Sequence, residues 1–170
     1  MNNVKLKIGA IAVIAGIYSA GASAETAPGE ATAYVVEPLT ITAVQTMDFG
    51  DISGGTGGGT LPMLDGGGIT PTGDAIVIGG GGGTPLGFSI TGEATYSVVI
   101  SVTSAPVLSN GTQTMNLAMN AVAASPLTTN GLAQPITVGG TLTVAAGQAG
   151  GSYSTNNAGG TPVVITANYK

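Results

Sequence analysis

Tyr96-Ser97-Val98-Val99-Ile100-Ser101-Val102 decides the fold, because Tyr96, Val98, Ile100 and Val102 fall on one side of an extended chain and Ser97, Val99 and Ser101 on the other. A period of two over seven residues, carried by β-branched side chains, belongs to a strand with one buried face. Two further stretches repeat it. Met115, Leu117, Met119 and Ala121 alternate with Asn116, Ala118 and Asn120, and Val163, Ile165, Ala167 and Tyr169 alternate with Val164, Thr166 and Asn168. No segment after residue 24 sustains a helical period.

Outward from these three, the composition predicts more strands at 33–42, 46–49, 75–78, 86–91 and 136–145. Pro38 cannot donate to a ladder, so the first of these is expected at a sheet edge or split at a bulge. Asn110-Gly111 and Asn130-Gly131 are turn signals between apolar runs. Gly-Gly-Thr recurs ahead of apolar segments at 58–60, 82–84, 139–141 and 159–161, without a fixed period, which disfavours a solenoid. Glycine there takes turn conformations and threonine starts the strand. Residues 53–59 and 79–83 are the most glycine-dense stretches and read as loops. About eight or nine short strands separated by turns predict an all-β sandwich or barrel.

Residues 1–24 have the layout of a secretory signal peptide. Lys5 and Lys7 precede the apolar run 8–18, and Ala22-Ser23-Ala24 supplies a small-x-small cleavage site before Glu25. The run is shorter than the roughly 20 residues that span a bilayer. Residues 25–170 are then one β-sandwich domain, exported through the inner membrane to the periplasm, the cell surface or the medium.

The chain has no His, Cys, Trp or Arg, and beyond the leader its one cation is Lys170. Most chemistry at neutral pH needs one of those groups as base, nucleophile, metal ligand or anion clamp. Eight acids against that single cation leave a net charge of −7 on residues 25–170, which repels phosphate backbones and anionic lipid. Nucleic acid is therefore not an expected partner, and no membrane span is expected in the mature chain.

Individual motifs reduce to plain readings. The glycine clusters lack the Lys and the helix of a phosphate loop. Asp48-Phe49-Gly50 matches a kinase triplet by letters alone and reads as a buried Phe49 followed by a turn. Asp48, Asp51, Asp65 and Asp74 offer oxygens for a loop Ca²⁺ site, but their spacing matches no EF-hand and Gly66-Gly67-Gly68 does not repeat as a nonapeptide. A hydrolytic carboxylate pair would fall on Asp65 and Asp74, in a chain with only two Phe to line a cleft. No enzyme, cofactor or metal is expected.

The tail is more informative. Val163, Ile165, Ala167 and Tyr169 form an apolar stripe that must be seated in a sheet, either as the last core strand or as an assembly strand read through edge pairing.

The segments Val35-Val36-Glu37-Pro38-Leu39-Thr40-Ile41-Thr42, Met47-Asp48-Phe49-Gly50-Asp51-Ile52, Phe88-Ser89-Ile90-Thr91-Gly92, Val138-Gly139-Gly140-Thr141-Leu142-Thr143-Val144 and Gly151-Ser152-Tyr153-Ser154 resemble, in order and spacing, a bacterial family called domain of unknown function 4402. That resemblance implies a small exported glycine-rich β-domain and transfers no functional residue. More loosely, Val163, Ile165, Ala167 and Tyr169 are similar to the C-terminal strand of chaperone–usher pilin subunits. This second resemblance implies an immunoglobulin-like antiparallel β-sandwich whose groove is filled by a neighbour's N-terminal extension. The chain departs from it in having no disulfide, and in an extension, Glu25 to Ala33, that holds Pro28, Gly29 and two Glu; Ala31, Ala33 and Val35 are its shortened donor set. The expected function is an exported structural or surface protein, a fimbrial or extracellular-matrix subunit, assembling through β-strand pairing with a second copy or with help from a periplasmic chaperone. The alternative is a monomeric secreted module that binds a glycan or protein through the glycine-rich loops.

Overall fold

Short runs of β-branched and small residues, cut by glycine and proline, produce thirteen strands among the described residues. The structure is a computed structural model and describes residues 25–80, 82–102 and 105–170; the expected signal peptide lies outside the described residues. In chain order the strands are β1 (Thr40–Gln45), β2 (Ile52–Ser53), β3 (Gly59–Met63), β4 (Thr72–Gly73), β5 (Ile76–Val77), β6 (Leu86–Thr91) and β7 (Ser97–Val102). They continue with β8 (Val107–Ser109), β9 (Thr114–Met119), β10 (Leu127–Thr128), β11 (Gln134–Val138), β12 (Gly140–Val144) and β13 (Ile165–Tyr169). One 3₁₀ turn, Ile78–Gly80, is the nearest approach to a helix among the described residues. Residues 25–34 carry no strand or helix.

All pairing is antiparallel. The ladders run β1-β6-β11, β10-β7-β13, β4-β3-β12-β9-β8 and β2-β5. The first two sheets face each other across Phe88, Ile90, Ile136 and Val138 on one side and Val98 and Ile100 on the other. Covering each of these large side chains contributes about 1.5–3 kcal/mol, which is why the alternation has to hold in both sheets. The five-stranded sheet builds a second core from Leu61, Met63, Met115, Leu117, Leu142 and Val144. Phe49, Ala75 and the β2-β5 ladder cover that core, and Met119 packs against both. The fold is all-β and sandwich-like, and the described strands close no barrel.

Three differences from the sequence reading have local causes. The strand expected at 33–42 begins only at Thr40 and runs on to Gln45, because Pro38 cannot join a ladder and the Glu37 carbonyl is taken by Tyr169. The strand expected at 136–145 is two strands in different sheets, β11 and β12, divided at Gly139. A Cβ on Gly139 would run into the Met63 carbonyl and the Leu64 backbone, so only glycine lets the chain cross there. The segment 46–49 makes no strand but an isolated bridge from Asp48 to Thr84, with Phe49 buried as expected. The strand count exceeds eight or nine because β2, β4, β5 and β10 are two-residue ladders.

Candidate functional site

The apolar stripe of the tail enters the fold as β13, which starts at Ile165; Pro162 and Val163 lead into it. Ile165, Ala167 and Tyr169 stand opposite Val102, Ile100 and Val98. Directly opposed residues share a face, so the three point inward with Val98 and Ile100. Yet those two are 0% and 4% exposed, whereas Ile165, Ala167 and Tyr169 remain half-buried.

The facing sheet shows the same deficit on the same flank. On β1, Ile41 and Ala43 stand opposite Ile90 and Phe88 and so point inward, but every residue of β1 is exposed, Ile41 at 38%. On β11, at the other edge of that sheet, the inward Ile136 and Val138 are 6% and 0% exposed. Two hydrogen bonds fix which edges lie together. Gln134 Nε2 donates to the Thr128 carbonyl, joining β11 to β10, and Tyr169 Oη donates to the Glu37 carbonyl, joining β13 to the approach to β1. One flank is sealed and the other, between β1 and β13, is open.

The remaining edges are blunted in ways that suppress pairing. β4 and β10 have two residues each. β11 carries Pro135, which has no N–H to offer. β8 is capped by bridges from Val107 to Thr161 and from Ser109 to Ser154. Among the described strands, β13 is a long edge without such a device, and β1 is interrupted only by the register shift between Ala43 and Gln45.

A cavity of about 550 Å³ lies at one end of this flank, lined among others by Val44, Met47, Leu108, Leu117, Pro162 and Val163. A second cavity of about 690 Å³ continues from it past Phe49 and Tyr153 to Asp48 and Asp51. Tyr153 is fixed there by its hydroxyl, which donates to the Ala149 carbonyl at 2.8 Å and accepts from Gln148 Nε2 at 2.8 Å and Asn110 Nδ2 at 3.0 Å.

At the far end Tyr169 is held by its hydroxyl and by its ring. Its hydroxyl accepts from Glu93 N at 2.7 Å, and its ring meets Tyr96 edge-on with centroids 5.7 Å apart. Sequence reasoning found the stripe but not these contacts, which join residues 37, 93, 96 and 169 and leave no local pattern.

The acids weighed as ligands or catalysts are dispersed. Asp74 Oδ2 accepts from Gly57 N at 2.8 Å and from Thr56 Oγ1 at 3.2 Å, closing the loop before β3. Asp65 Oδ1 accepts from Gly139 N at 2.7 Å and from Asn120 Nδ2 at 3.2 Å, beyond the other end of β3. At about 3.3 Å per residue, the five residues of β3 hold these carboxylates beyond the roughly 10 Å within which a hydrolytic pair works. Asp48 Oδ1 accepts from Gly50 N at 2.8 Å in its own turn. Among the described residues no three acids gather at one point that could hold a metal ion. The 53–59 loop is a closed turn, with Gly58 N donating to the Gly54 carbonyl at 2.8 Å, and the 79–83 loop includes Gly81, outside the described residues.

These observations define an antiparallel, glycine-punctuated β-domain with one unsealed flank. The match to the model of the family "Domain of unknown function (DUF4402)" extends over residues 39–169, and the chain belongs to that family. No curated protein and no solved structure matches it. No helix among the described residues is long and apolar enough to cross a membrane.

Proposed function

We propose that the chain is an exported structural or surface subunit, fimbrial or of the extracellular matrix, that assembles by accepting a β-strand along the flank between β1 and β13. The observation that carries this reading is the paired deficit: inward-facing Ile41 and Ala43 on one sheet are exposed and Ile165 and Ala167 on the other only half-buried at the same flank, while Ile136 and Val138 on the opposite flank are buried. An added strand would satisfy one of the two open edges and cover those four side chains. The leader-like residues 1–24 support export, and the lack of His, Cys and Arg supports a role in shape over chemistry. The donor is a second copy, with Ala31, Ala33 and Val35 as the alternating set ahead of β1; Val35 is 89% exposed. A periplasmic chaperone would hold the same edge before assembly.

The test is sedimentation of the purified chain across a concentration series, beside Ile41→Lys. A charge pointing inward on an edge strand is a natural blocker of pairing. The chain should form concentration-dependent oligomers, and Ile41→Lys should remain a monomer with an unchanged melting temperature. A chain that stays monomeric at every concentration, with no gain in stability from an added peptide of residues 31–36, sinks the proposal.

A second reading has one observation behind it. The 690 Å³ cavity beside Tyr153 is large enough for a small glycan or a peptide side chain, which favours a monomeric binding module as the alternative.

A further inference from the structure

Three bonds in the chain join Asp or Asn to Gly: Asp65-Gly66, Asn110-Gly111 and Asn130-Gly131. At such bonds the following backbone nitrogen is unhindered by a Cβ and can attack the side-chain carbonyl carbon, closing a five-membered succinimide. The attack needs the side chain to swing free of its partners. The structure treats the three bonds differently.

Asp65 Oδ1 is held by Gly139 N and Asn120 Nδ2. Asn110 is held at both ends of its amide. Its Oδ1 accepts from Thr112 N, Thr112 Oγ1 and Gln113 N at 2.8–2.9 Å, and its Nδ2 donates to Tyr153 Oη at 3.0 Å. Asn130 has one such bond, from Leu132 N to its Oδ1 at 2.9 Å. Residues 130–132 are exposed, Leu132 at 69%, in a bend between β10 and β11. Both glycines after Asn sit at positive φ, 93° at Gly111 and 78° at Gly131, so the backbone does not separate the two sites. The side-chain restraints do.

We propose that Asn130 is a site of spontaneous deamidation in the folded protein, with water as the only co-reactant. Gly131 N loses its proton to solvent base and bonds to Asn130 Cγ, and Nδ2 takes up a proton and leaves as ammonia. Water then opens the ring at either carbonyl, giving Asp or isoaspartate at position 130. Either product adds a carboxylate to an already acidic surface. Isoaspartate also inserts a methylene into the main chain next to Thr129, which is 2% exposed and whose hydroxyl bonds to the Glu93 and Tyr96 carbonyls. Ageing of the exported protein would therefore loosen the join between β7 and β10.

The experiment is incubation of the full chain in warm, mildly alkaline buffer, folded and in urea, followed by peptide mapping with mass detection of the NH-to-O exchange. Opening the Asn110 turn gives up three more hydrogen bonds than opening the Asn130 turn, so folded Asn130 should convert about tenfold faster or more. In urea the two rates should converge. Equal rates in the folded protein, an intact Asn130 where urea-treated Asn130 converts, or a difference that persists in urea would each overturn the proposal.

Discussion

The Tyr169 hydroxyl donates a 2.7 Å hydrogen bond to the Glu37 carbonyl, 132 residues earlier in the chain. The same oxygen accepts from Glu93 N, and the Glu93 carboxylate accepts from Glu37 N at 3.3 Å. The last strand, the approach to the first strand and the turn between β6 and β7 thus close into one ring of polar contacts. It sits at the end of the open flank, where Leu39 packs against the core of Phe88, Ile90 and Val98. The hydroxyl of Tyr169, at the end of β13, is thus committed to holding the fold.

Tyr169→Phe keeps the ring against Tyr96 and removes both hydroxyl bonds. The half-buried Glu93 N–H is then left without its acceptor, a loss of about 1–3 kcal/mol. For a chain of this length each kcal/mol moves the melting temperature by about 2–4 °C. Thermal unfolding followed by circular dichroism should therefore fall by several degrees, and an unchanged melting temperature would show that the ring of contacts adds nothing to stability.

Gly92 tests the same junction from the other side. A Cβ there would stand 2.6 Å from Tyr169 Oη and 2.7 Å from Leu39 Cδ2, too close for either to stay in place. Gly92→Ala should destabilise by about 1–3 kcal/mol through this overpacking. Because both changes break one contact set, the double variant Gly92→Ala, Tyr169→Phe should lose less than the sum of the two. Strict additivity in urea unfolding would separate the sites.

Much of the layering was legible where alternation is long and bounded by turns. β6 begins and ends where the residues predicted, and β7 and β9 shift by one or two positions, because Leu86–Thr91, Ser97–Val102 and Thr114–Met119 each carry their own period. The break at Gly139 was hidden for a physical reason. Ile136, Val138, Gly140, Leu142 and Val144 keep one phase of two throughout, so the pattern runs unbroken while the chain passes from one sheet to another. Two-residue ladders such as β2 and β5 have no period to read. At the candidate site, Val163, Ile165, Ala167 and Tyr169 were visible as a stripe. Their position beside β1 was not, since it depends on partners up to 132 residues away.

Asp65 holds the crossing at Gly139 from the opposite side of the chain. Its Oδ1 accepts from Gly139 N, and Asn120, which donates to that carboxylate, also reaches the Met63 carbonyl at 3.2 Å. Asp65→Ala leaves a half-buried cluster of donors without its acceptor and should cost about 1.5–3 kcal/mol. Asp65→Asn retains an acceptor oxygen and should lose less. The ranking is read from urea midpoints, and equal midpoints for the two variants would argue that the carboxylate does not brace the crossing.

Met119 decides whether the two cores melt together. It packs against the Leu61–Leu142 cluster and against the Phe88–Val98 cluster, and between β11 and β12 the chain passes from one to the other through the single residue Gly139. Leu142 and Phe88 are each 1% exposed, one in each core. Leu142→Ala should cost about 2–5 kcal/mol and Phe88→Ala about 3–5 kcal/mol, from lost burial and the cavity left behind. If the cores form one cooperative unit, each variant lowers a single transition seen alike by far-ultraviolet circular dichroism and by tyrosine fluorescence. Leu142→Ala is the more telling of the two, because Tyr153 packs on its core while Tyr169 packs on the other. Two separated transitions in Leu142→Ala would mean that the five-stranded sheet unfolds alone, and that Met119 and Gly139 join the layers without coupling them.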